Sequence, residues 1–206
     1  MSTVLNGTVT HGIRLTAVVD TLGRAVVGNR VSRREPLGKP IPLTLSKARA
    51  RLELRLLHTL AFDAAGVFLA TSKSSYKLVD AGSGDPILTY DYTREPPNEY
   101  PEAHCHVHGR VDVVQRMLER CDRADDKPDD LHVPVGGRRF RPCLEDLIEF
   151  CVLERLVEAR PNWRAVLENS RETFHAQQLR AAVRRNPELA ADVLNRQGWR
   201  VTRPDD

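Results

Sequence analysis

The sequence predicts an α+β protein, an antiparallel sheet of about five strands followed by C-terminal helices packed on one face. From about residue 50 the apolar residues recur at every second position, in short runs broken by turn residues. No long helical pattern separates these runs, which favours antiparallel pairing over parallel crossovers. From residue 143 to the end the apolar spacing becomes that of helices. A chain of 206 residues suits one domain over 1–206 and is long enough to bury a core.

Residues 13–31, "IRLTAVVDTLGRAVVGNRV", have apolar positions consistent with a short helix, although Gly23 weakens it. Residues 32–43, "SRREPLGKPIPL", are rich in proline and charge and read as a connector. In "RLELRLLHTLAF", Leu52, Leu54, Leu56, His58, Leu60 and Phe62 fall on one face of a strand. After the turn "DAAG", the run "VFLATSKSSYKLVDA" supplies a second strand and room for a third. "GSGDP" breaks the run, and "ILTYDYTR" over 87–94 is another strand, with Leu88, Tyr90 and Tyr92 on one face. The linker "EPPN" leads to "EYPEAHCHVHGRV", a strand carrying histidines at 104, 106 and 108. Residues 111–121 read as a short helix and "DRADDKPDD" as an acidic surface loop. In "LHVPV", Leu131, Val133 and Val135 face one way, and Pro134, lacking a backbone donor, places this strand at an edge. A basic turn, "GGRRFRP", completes the mainly sheet region over 50–141.

Over 143–206 the reading is helical. Leu144, Leu147, Ile148, Cys151, Val152 and Leu156 make one apolar stripe, with Glu145 and Asp146 in the first turn, where the helix dipole favours acids. A second helix follows from "PNWRAVLENS", and a third begins at Pro187, a residue suited to a first helical position. Trp163, Val166, Leu167, Ser170 and Phe174 form a further stripe. It is either internal packing or the docking element of a non-catalytic interaction module.

Composition is that of an ordinary globular chain, 41% hydrophobic and 29% charged, with a net charge of +3. That is too mild for a protein that coats DNA. Cys105, Cys121, Cys143 and Cys151 form no CxxC pair and read as reduced, mostly buried thiols of a cytoplasmic protein. No apolar stretch approaches the roughly 20 residues of a membrane span. The N-terminus lacks the features of a signal peptide.

The histidine row is the candidate site. Alternate strand residues share a side, so His104, His106 and His108 stand about 6.6 Å apart, opposite Ala103, Cys105 and Val107. Histidine exchanges protons near neutral pH, and metal-free cleavage of a nucleic acid is the leading reading. His104, His106 and His108 are the catalytic candidates. Gly136, Gly137, Arg138, Arg139 and Arg141 are the phosphate-binding ones, through a backbone nest and guanidinium forks. This reading needs no cofactor. A metal, if present, would fall to His106, His108 and His132, since His104 and His108 are about 13 Å apart along the strand. Strand-borne HxH is similar to the metal ligands of cupins and carbonic anhydrases. The row can equally be the polar face of a sheet. His58, among leucines, reads as a core histidine, and Tyr90 and Tyr92 as packing.

"HCHVHG" resembles the His-x-His-x-His of histidine-triad hydrolases and transferases, which implies a nucleophilic His106 flanked by orienting His104 and His108 and a nucleotide-dependent reaction. Gly109 and Arg110 stand where that family has apolar residues. The stretches "LTYDYTREPPNEYPEAHCHVHG" and "LHVPVGGRRFRPCLEDLIEF" resemble a group of uncharacterised actinobacterial proteins. They are more loosely similar to TumE-type toxin proteins. That resemblance implies a toxin–antitoxin or defence role, with RNA as target and an antitoxin-like protein partner. It covers about a third of the chain.

Overall fold

The computed structural model describes the chain except residues 47–49, 64–65, 98–99, 110–111, 113–114, 117–118, 120–124, 126, 128–129, 131–132, 136–141 and 203–206. It begins with a short helix that the sequence pattern did not reveal, α1 (Ser2–Thr8).

Residues 13–31 are a hairpin, not the expected helix: β1 (Leu15–Val19) pairs antiparallel with β2 (Ala25–Asn29). Two features decide against a helix. Val18, Val19, Val26 and Val27 are β-branched and sit best on a pleated surface. Between them lies a side-chain-closed turn. Asp20 Oδ1 accepts the backbone N–H groups of Leu22 and Arg24, each at 2.9 Å, and Gly23 takes φ +73°. The Arg24 backbone donor, helped by its guanidinium, lowers the Asp20 pKa.

The connector ends in a two-residue strand, β3 (Ile41–Pro42), fixed because Asn29 Nδ2 donates to the carbonyls of Lys39 and Pro40. Next come β4 (Leu52–Phe62) and β5 (Leu69–Asp80), the latter one long strand rather than two. β6 (Pro86–Thr93), β7 (Ala103–Val107) and β8 (Val133–Pro134) complete the sheet. Its order is β1-β2-β4-β5-β6-β7-β8, with β3 beside β4. Every pairing is antiparallel. The sheet is thus wider than about five strands, mostly because the N-terminal hairpin extends it. β8 is an edge strand, as Pro134 requires. The helix expected over 111–121 lies largely outside the described residues.

The helical part contains α2 (Leu144–Leu153), α3 (Trp163–Arg185) and α4 (Pro187–Arg196). Asp146 Oδ2 accepts the Cys143 backbone N–H at 2.9 Å, closing the start of α2. α2 stops earlier than the apolar stripe suggests. Arg155 takes φ +57° just beyond it, and Leu156 is exposed. Pro187 opens α4 as expected.

The chain forms two compact units, Met1–Leu167 and Glu168–Asp206. In the second, Leu189, Val193, Leu194 and Trp199 are exposed. In the first, the strand register stacks apolar residues into rows across the sheet. Leu54, Leu78 and Leu88 form one row. Leu56, Tyr76, Tyr90 and Cys105 form the next, and His58, Ser74, Tyr92 and Ala103 the third. Against these rows pack Val4 and Leu5 of α1, Leu144, Leu147, Ile148 and Cys151 of α2, and Leu167 of α3. Leu167 and the partly buried Trp163 are therefore packing residues of this core. His58 is a satisfied core histidine, its Nε2 at 2.9 Å from the Tyr76 hydroxyl. The core face ends there, since the β4–β5 register shifts between Thr59 and Leu60 and Phe62 is 61% exposed.

Cys105, Cys143 and Cys151 are buried and unbridged, and Cys121 lies outside the described residues. Burial pushes the Cys151 thiol up to about 12 and raises Cys143 and Cys105 as well. Among the described residues no helix is long and apolar enough to cross a membrane.

One close approach makes a test of the β2–β4 pairing. A Cβ on Gly28 would stand 2.7 Å from Val31 Cγ2 and 2.8 Å from the Leu56 carbonyl oxygen. The carbonyl belongs to the central strand and cannot yield. Gly28→Ala should destabilise the protein by about 1–3 kcal/mol in urea unfolding. A change under about 0.5 kcal/mol, the size usual for ordinary surface positions, would show that β2 does not pack this closely.

Candidate functional site

The same register that stacks the core rows stacks polar rows on the opposite face. Leu57, Ser75, Asp91 and His104 are cross-strand partners in one row. Arg55, Lys77, Thr89 and His106 make the next, and Thr59, Lys73 and Thr93 a third. The histidine strand alternates as read from sequence. Ala103 and Cys105 are buried, and His104 and His106 are half-buried on the other side. Val107 is 54% exposed, because the strand ends there. Since α1 belongs to the core cluster, it does not roof the histidines.

The three rings do form a row. His104 and His106 meet edge to face with centroids 5.0 Å apart, and His106 and His108 stack at 6.2 Å. Their partners differ. His104 Nδ1–H donates to the Pro101 carbonyl at 2.9 Å. His108 Nε2 lies 2.9 Å from the hydroxyl of Thr89, a residue buried to 2% exposure.

The geometry brings in a residue that the sequence reading passed over. Asp91, His104 and His106 each offer a ligand atom, and these atoms all lie within 4.8 Å of one another. Ligand atoms around one tetrahedral zinc stand roughly 3.3 Å apart, for bonds of about 2.0–2.1 Å. Two imidazoles and one carboxylate are a donor set suited to zinc or to Fe(II). With Nδ1 held by the Pro101 carbonyl, Nε2 is the His104 nitrogen that would ligate, and an outer hydrogen bond of this kind commonly orients metal-bound histidines.

This cluster differs from the metal set expected from sequence. It keeps His106, takes His104 and Asp91, and does not include His108. His132 lies outside the described residues, as do Gly136, Gly137, Arg138, Arg139 and Arg141, the expected phosphate ligands. The alternation in "LTYDYT" already placed Asp91 opposite Leu88, Tyr90 and Tyr92. What the sequence lacked was the register that sets Asp91 beside His104.

Beside the cluster lies a shallow depression of about 390 Å³ lined by Lys73, Asp91, Thr93, Pro96, Pro97, Tyr100, His104 and His106. Among the described residues its formally charged lining residues are Asp91 and Lys73. No protein-family model, curated protein or solved structure matches this chain.

Proposed function

We propose that this chain is a hydrolase built on one divalent metal ion held by Asp91, His104 and His106. The observation that carries this reading is the convergence of three ligand atoms within 4.8 Å on a half-buried sheet face. Three protein ligands leave a coordination position for water, whose pKa a bound zinc lowers to about 7. The adjoining depression gives a substrate access to that position. The ligands stand on two strands paired with each other, β6 and β7, which limits the ordering needed on binding.

The test uses the purified full chain. It should take up one zinc per chain, give the visible bands of a low-symmetry cobalt site when loaded with Co²⁺, and hydrolyse chromogenic esters until a chelator is added. A chain that retains no metal at micromolar zinc sinks the proposal. The aligned rings of His104, His106 and His108 favour a second reading, metal-free cleavage of RNA by a toxin-like protein with the histidines as acid and base. That reading requires RNA cleavage that persists in chelator and ceases in His106→Ala.

A further inference from the structure

We propose that the site takes a phosphate group, bound between the metal position and Lys73; this rests on the metal-centre reading above. Lys73 stands on β5 directly opposite Thr93 of β6, one row from the Asp91–His104 pair. It lines the depression together with all three metal-ligating residues. It also lines the neighbouring hollow formed by Leu57, Thr59, Ser75, Asp91, Thr93 and His104. Lys73 is thus shared by both hollows, as are Asp91, Thr93 and His104.

Charge then selects the ligand. A divalent ion bound by one carboxylate and two neutral imidazoles keeps one positive charge. Lys73 adds a second, and Asp91, already a metal ligand, is the one acid among the described lining residues. Among the described residues Lys73 forms no ion pair. A phosphate dianion, or a phosphoryl group whose charge grows as it reacts, balances both charges. One oxygen meets the metal, another the Lys73 ammonium, and the Thr93 hydroxyl can donate to a third. A neutral ester or peptide would leave both charges uncompensated. Phosphate esters are therefore the substrate class, whether carried on a small nucleotide or on a nucleic-acid strand. The shallow depression accepts a phosphate from either.

The experiment has two stages on the same preparation. Zinc binding is measured first, and the zinc-loaded, desalted chain is then titrated calorimetrically with inorganic phosphate. Lys73→Ala should bind zinc as the wild type does but bind phosphate roughly 10- to 100-fold more weakly, as expected for a lost charge-assisted hydrogen bond. Lys73→Arg should keep most of the phosphate affinity. Equal phosphate affinity in wild type and Lys73→Ala overturns the inference and leaves the metal centre standing. So does zinc-loaded wild type that binds no phosphate. Failure at the zinc stage overturns both. If phosphate binds, competition by a mononucleotide against a short single-stranded RNA of the same base identifies which source the site favours.

Discussion

His104→Ala should cost the protein its metal, lowering zinc affinity by more than about 100-fold, at least the loss seen when supporting groups alone are removed. His104 is one of only two imidazoles in the cluster, and its orientation is fixed by the bond from Nδ1–H to the Pro101 carbonyl. Asp91→Asn should have a similar effect, because the amide keeps the shape but removes the one negative charge in the ligand set. His108→Ala is the control. His108 lies outside the cluster and its Nε2 lies against Thr89 Oγ1, so zinc affinity should stay within about threefold, under 1 kcal/mol. Competition with a chromogenic chelator reads all three variants, and circular dichroism confirms that each is folded. Loss of zinc in His108→Ala but not in His104→Ala would overturn this ligand set in favour of His106, His108 and an outside ligand.

That contrast marks where the sequence could be read and where it could not. The period-two stretches from 52 to 107 were legible because each strand buries one face, which imposes alternation residue by residue. The helical repeat after 143 was legible for the same reason, down to Leu144, Leu147, Ile148 and Cys151. Residues 13–31 misled because a two-stranded hairpin with half-buried faces has little alternation to show. Its apolar residues then fit a helical spacing equally well, and the β-branched valines and the Asp20 turn distinguish the two. The site was half legible. Three histidines on alternate positions announce themselves within one strand. Asp91 and Lys73 enter only through pairing between strands, and no local pattern specifies that β6 sets residue 91 opposite residue 104. The extra residue Ser72, which β5 inserts opposite the Thr59–Leu60 step, was equally silent in sequence; Leu60 and Phe62 keep the face of Leu56 and His58, but Phe62 lies beyond the buried core and is exposed.

Leu54→Ala should destabilise the protein by about 2–5 kcal/mol, a large share of the total stability of about 5–15 kcal/mol typical of a folded domain. Leu54 is fully buried at the crossing of three strands, with Ile41 of β3 and Leu78 of β5 as its direct partners, both at 0% exposure. β-strand neighbours on two sides cannot collapse into the vacated space without breaking their ladders, so most of the cavity should persist. Arg55→Ala, the next residue on the same strand, should change stability by no more than about 0.5 kcal/mol, because Arg55 is exposed on the opposite face. Urea unfolding of the two variants measures the difference. The comparison reaches the site as well as the core. The alternation that sends Leu54 inward and Arg55 outward on β4 is carried by the register to β6 and β7, where it puts Asp91, His104 and His106 on the outer face. Equal costs for the two variants would mean the faces are not segregated, and a cluster built by that segregation would fall with them. A large cost for Leu54→Ala alone, with zinc affinity retained in Arg55→Ala, supports the core and the metal site by the same alternation.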